Sequence, residues 1–147
     1  MAHIWPIGGG KGGSGKSFLT SSLGRLLAAM GKKTLLVDLD LGSANLHTLL
    51  DVPYPEKSFS DFIRRKIPRL EDVVLETPVP NLYIISGAHD TLDIANLPYE
   101  QKSKTLRAIA RLDYDWIMLD LGAGTSFNTL DCFLISQNSM FVTTPEP

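Results

Sequence analysis

Short apolar runs recur along the chain at residues 2–7, 34–39, 82–86, 116–121 and 140–144. They are continuous rather than alternating, as TLLVDL at 34–39 and WIMLDL at 116–121 illustrate. Runs of this length with no polar face predict strands covered on both sides, the habit of parallel sheets. Between them the period changes. Leu19, Leu23, Leu26, Leu27 and Met30 fall at i, i+4, i+7, i+8 and i+11, one stripe of a helix that starts at Ser17 and that Gly31 can stop. A short helix is predicted over 44–50, followed by the proline-containing loop VPYPEK, and Ser58 or Ser60 caps a small helix through Arg65. Pro98 fits the first turn of a helix running to about Arg111, with Leu106, Ile109 and Ala110 facing inward, and a last helix spans 126–137. Strands alternating with helices imply right-handed crossovers: an α/β fold, with a mostly parallel sheet flanked by helices on both faces. Pro6 is out of place in the first strand, because it has no N–H to give to a ladder.

Composition changes this picture little. The 147 residues suffice for one domain with its own core, and 44% hydrophobic with 20% charged residues is ordinary for a globular chain. Fourteen Lys+Arg against sixteen Asp+Glu give a net charge of -2, which argues against a surface that binds nucleic acid all over. The single cysteine, Cys132, excludes an internal disulfide and a multi-cysteine metal site within one chain. No run of 18 apolar residues and no leader pattern is present, so a reduced, cytoplasmic setting is expected.

The chemistry concentrates at residues 8–17, GGGKGGSGKS, with six glycines in ten positions. Gly10–Ser17 satisfies the P-loop pattern G-x-x-x-x-G-K-[ST], between a predicted strand and a predicted helix. Glycines let successive backbone N–H groups curl around an anion, and the helix N-terminus adds its positive end. Gly10, Gly12, Gly13, Ser14, Gly15 and Phe18 belong to this phosphate-binding stretch. Lys16 is positioned to reach the β- and γ-phosphates, and the Ser17 hydroxyl to bind Mg²⁺.

KGGSGKS resembles the deviant Walker A motif, KGGxGK[ST], of the MinD/ParA family of P-loop ATPases. VDLDLGSANL is similar to that family's switch I, WIMLDLGAG to its Walker B strand and switch II, and TTPEP to the strand end that follows. GGGKGG, DLGSANL, DLGAGTS and TTPEP look most like the flagellar-number and flagellar-placement ATPases of the MinD-like branch. The resemblance implies a P-loop, Rossmann-like domain over 1–147 that is the N-terminal part of a longer one. It implies a slow ATPase with ATP and Mg²⁺ as cofactors, in which Lys11 crosses to the partner's phosphates in an ATP-sandwich homodimer. It also implies that Asp40 orients the attacking water and stands near the metal. Asp38 supports that site, Asp120 holds Mg²⁺ through water, and Gly122 offers an N–H to the γ-phosphate. Position 14 is Ser where the family has Val or Ile. The implied use is control of the position or number of a flagellum or division site. Implied partners are a regulatory or target protein and, through a segment absent here, the inner membrane surface.

Other features are weighed against that reading. The basic run RRKIPR at 64–69 suits an acidic lipid surface or DNA, but Asp61, Glu71 and Asp72 dilute it and a solvated helix end is favoured. His3, His47 and His89 lack metal-ligand spacing, so surface or capping roles are expected. A chromosome- or plasmid-partition ATPase would bind DNA in a salt-sensitive manner. A carrier of iron–sulfur clusters would need a cysteine pair. A non-enzymatic binding module would not be stabilised by nucleotide.

Overall fold

The computed structural model describes residues 2–9, 15–40, 45–87, 97–122, 129–132, 135–136 and 138–143. The first apolar run becomes β1 (His3–Gly9), which continues two residues into the glycines, and the next becomes β2 (Thr34–Asp38). A two-residue strand, β3 (Leu75–Glu76), precedes β4 (Leu82–Ile85), then β5 (Trp116–Asp120) and β6 (Met140–Val142). The sheet order is β3-β4-β2-β5-β1-β6, and every pairing is parallel except β3 with β4. β5 thus lies between β1 and β2, although it follows both in sequence.

Pro6 fits because of its parity. In a parallel ladder the N–H and C=O of one residue point to the same neighbour, and successive residues alternate sides. His3 N–H donates to Asp115 O at 2.9 Å and Ile7 O accepts from Leu121 N–H at 3.0 Å, so odd residues of β1 bond the β5 side. Pro6 faces the other side, where pairing with β6 begins only at Ile7↔Met140.

Helices cover both faces. On one lie α1 (Lys16–Ala29) and α2 (Leu46–Leu49), around a core that includes Ile7, Ala28, Leu36, Leu46 and Met118. On the other lie α3 (Phe59–Ile63), a 3₁₀ turn at Leu70–Val73, α4 (Tyr99–Ala110) and α5 (Thr129–Cys132), around Leu35, Val37, Phe59, Leu106 and Ile117. Leu106 and Ile109 are buried as expected and Ala110 half-buried. Pro98 is the residue before α4, in an extended conformation, rather than part of its first turn. Ser58, not Ser60, caps α3, and its N–H donates to Asp61 Oδ2 at 2.9 Å.

The period of α1 is as predicted, but the leucine stripe is not its buried face. Leu26 and Met30 are 61% and 71% exposed, whereas Thr20, Ser21, Gly24 and Ala28 are buried. Small residues win because the helix lies close against the sheet: a Cβ on Gly24 would stand 3.0 Å from both methyls of Leu36 and 3.2 Å from a methyl of Leu82.

Three helices end in one device. After α1 the Gly31 N–H bonds Ala28 O and the Lys32 N–H bonds Leu27 O; Asp51 and Val52 repeat this after α2, and Arg65 and Lys66 after α3. This Schellman arrangement puts one residue in the left-handed region, here Gly31 (φ 80), Asp51 (φ 56) and Arg65 (φ 59). Glycine adopts it freely and aspartate tolerates it, whereas a residue such as arginine does so at a cost of about 1 kcal/mol.

Gly24→Val is expected to cost about 2 kcal/mol through overpacking, read as a lower urea midpoint. Leu26→Gln should stay within about 0.5 kcal/mol of the parent. The reverse order would return the leucine stripe to the core.

Candidate functional site

Strand parity assembles the site. Side chains alternate between sheet faces, so Asp38 at the end of β2 and Asp120 at the end of β5 both point to the α1 face. They are also register partners, Asp38↔Asp120, and Ile7 of β1 pairs with Asp120 on its other side. α1 begins at Lys16, close after the end of β1, and so delivers its first residues to these carboxylates. Gly15 precedes it with φ 84, in the left-handed region.

Lys16 and Ser17 converge on one carboxylate. The Lys16 ammonium is paired with Asp120 Oδ1, and the Ser17 hydroxyl donates to Asp120 Oδ2 at 2.7 Å. Lys16 is 9% and Asp120 1% exposed, so both charges are withdrawn from water and each depends on the other. Burial pushes the Lys16 ammonium below the ordinary lysine range, while Asp40 and Asp38 oppose the shift. Thr20 anchors the same turn by donating to Lys16 O at 2.8 Å.

Asp38 has a different task. Its Oδ1 accepts from Asp40 N–H at 3.1 Å and its Oδ2 from Leu46 N–H at 3.2 Å, tying the strand end to the start of α2. Burial raises its pKa to about 6, and the two backbone donors only partly offset this. Asp40 is half-buried just past β2, near enough to act electrostatically on both Lys16 and Asp38. Gly122 is half-buried two residues after Asp120, and the Phe18 ring is 68% exposed on the first turn of α1. Gly10, Lys11, Gly12, Gly13 and Ser14 lie outside the described residues, as do His89 and the sequence TPEP.

The sequence expectation changes for one histidine. His47 is buried rather than on the surface: α2 packs on α1, and the ring meets Tyr54 edge-on at 5.8 Å, with burial lowering its pKa. Cys132 is fully buried, and burial, then Asp131, pushes its thiol up to about 12. That environment disfavours the thiolate that metal ligation needs. Among the described residues no group of three metal-ligating side chains forms a cluster.

A carboxylic acid whose pKa is raised on folding binds its proton more tightly in the native state. Stability from Asp38 is therefore full below about pH 4 and falls as pH rises through about 6. A rise of this size corresponds to roughly 3 kcal/mol. In urea titrations between pH 4 and 7, Asp38→Asn should gain on the parent by about that amount; a gap independent of pH would refute it.

Known proteins resemble this chain in sequence and fold. The model of the CobQ/CobB/MinD/ParA nucleotide-binding domain matches residues 6–138. The putative septum site-determining protein MinD of Guillardia theta is 32% identical over 99% of the chain and 54% of its own length. The structure of MinD from Pyrococcus horikoshii complexed with Mg-ADP superimposes with a TM-score of 0.83 at 32% identity, over 99% of this chain and 59% of that one. MinD in the Aquifex aeolicus MinC:MinD complex gives 0.78 at 28% identity, over 99% and 57%. The chain spans about half the length of the curated relatives it matches. A parallel sheet with a P-loop sequence after β1, and a family match over most of its length, make this chain a member of the CobQ/CobB/MinD/ParA family of nucleotide-binding domains.

Proposed function

We propose that the chain is the nucleotide-binding part of an ATP-driven switch that closes as a homodimer on ATP and reopens on hydrolysis, changing its affinity for a target protein. The observation that carries this reading is the convergence of Lys16 and the Ser17 hydroxyl on the Asp120 carboxylate at the carboxyl end of a parallel sheet. That crevice is where open α/β sheets bind ligands.

The donor set suits a magnesium nucleotide. The Ser17 hydroxyl and Asp120 carboxylate are oxygen donors of the kind Mg²⁺ takes, and a buried lysine beside them suits phosphate oxygens. Ser17 and, through water, Asp120 would hold the ion, which supplies positive charge among the phosphate oxygens. Lys16 stabilises the charge that develops during transfer. Gly10, Gly12, Gly13, Ser14 and Gly15 cradle phosphates with backbone N–H groups, with Phe18 in the turn that follows. Lys11 acts across the dimer on the partner's phosphates. Asp40 orients the attacking water, and Asp38 holds the Asp40 backbone in place. Gly122 reports the γ-phosphate to the segment after β5.

The thing positioned is a division site or a flagellum. The septum site-determining relatives favour the first, and GGGKGG, DLGSANL, DLGAGTS and TTPEP favour the second. The MinC:MinD complex of Aquifex aeolicus supports a protein partner. Peripheral attachment to the inner membrane fits a cytoplasmic switch of this kind, and among the described residues no helix is long and apolar enough to cross a membrane.

Light scattering of the Asp40→Ala variant tests the switch. Its mass should double with Mg-ATP and stay monomeric when Lys11→Ala is added. Lys16→Ala should lose nucleotide-dependent thermal stabilisation altogether. A mass unchanged by ATP, in this chain and again in one extended at its C-terminus, would sink the dimer mechanism.

A further inference from the structure

The helical layer opposite α1 carries a cavity of about 340 Å³ between the end of α3 and the flank of α4, lined by none of the residues of the Lys16–Asp120 site. Its lining is apolar at Phe62, Ile63, Ile67 and Pro68, of which Ile63 is buried and Pro68 exposed, and its rim is cationic, from the exposed Arg65 and Lys104. Lys66 and Arg69 stand exposed in the same loop. Of these cations Lys104, on the rim, is already paired with Glu100 at 3.0 Å, and Arg69, in the loop, with Glu71 at 3.8 Å. Among the described residues Arg65 and Lys66 make no ion pair. The walls are fixed. Gln101 Nε2 donates to Ile63 O at 3.4 Å across the two helices, and Lys102 on another side of α4 is paired with Asp131 of α5 at 3.4 Å.

Arg65 itself is the unusual element. It occupies the left-handed position that glycine fills after α1, and it keeps its backbone there against the steric preference of its side chain. The cap of α3 thus sets an arginine, where glycine would be easier, at the rim of the cavity.

We propose that this cavity docks an acidic peptide segment of a partner protein, one apolar side chain meeting its apolar lining while flanking carboxylates meet Arg65 and Lys66. The volume is at the small end of ligand cavities, about 300–1,000 Å³, which suits an anchoring side chain. The rim charge calls for carboxylates on either side of it. A lipid surface suits the geometry less well, because Ile63 is buried and Phe62 and Ile67 half-buried, which leaves Pro68 as the one exposed residue of the apolar lining. The proposal goes beyond the nucleotide switch and does not depend on it.

The probe is a labelled hexapeptide of two phenylalanines flanked on each side by two glutamates, added to the whole 147-residue chain. Amide resonances of residues 62–67 and 101–105 should shift, and those of the strand ends should not. A peptide with lysines replacing the glutamates should bind at least tenfold more weakly. Arg65→Gly should keep or raise the melting temperature, since it relieves the backbone, yet weaken binding at least tenfold; Arg65→Lys should stay within about threefold of the parent. The proposal is overturned if the hexapeptide does not bind, if it shifts resonances elsewhere, or if Arg65→Gly binds as the parent does. It is equally overturned if only vesicles of phosphatidylglycerol bind, in an Arg65-dependent manner, for then the loop is a membrane contact.

Discussion

Two carboxylates at neighbouring strand ends, both withdrawn from water, are the constraint around which the rest is arranged. A buried carboxylate is expensive unless it is paired and hydrogen-bonded. The chain solves the problem differently at each strand. Asp120 receives an ammonium and a hydroxyl from the first turn of α1, whereas Asp38 receives two backbone N–H groups from its own downstream segment. The first solution fixes α1 against β5, and the second fixes the exit from β2. Removing either carboxylate would therefore disturb an element as well as a site.

Parity and register turn this into geometry. Both aspartates sit at even positions of strands whose odd positions face the other core, so α1 has to lie on the aspartate face. Close approach of α1 follows from Gly24 and its small neighbours, and that approach allows Lys16, at the helix start, to reach Asp120. Sheet packing and site assembly are consequences of one placement.

Much of this was legible in the chain. Continuous apolar runs located the strands other than β3 because both faces of the sheet are covered, and GSGKS located the start of α1 because glycine and serine there have chemical tasks. The aspartates of VDLD and IMLDL were picked out by their resemblance to switch I and Walker B segments, since an aspartate at a strand end is by itself an ordinary turn or cap residue. Three things were not legible. The leucine stripe of α1 misled because the stronger apolar signal lay on the half-buried and exposed side, while the tight contact was made by residues that carry little hydrophobicity. β3 is too short to leave a pattern. The cavity between α3 and α4 joins residues about forty positions apart, and no local signal marks Arg65 as left-handed.

The position of β5 has a consequence for how the molecule comes to be made. β1 and β2 are synthesised first, yet they are not neighbours; the strand that separates them arrives some eighty residues after β2. Until then Lys16 has no Asp120, its partner 104 residues away. Contacts of such long sequence separation form late and slowly. A nascent chain can therefore contain the sequences of α1 and the glycine loop and still lack the Asp120 carboxylate that Lys16 and Ser17 meet, because the strand that separates its two oldest strands is not yet made.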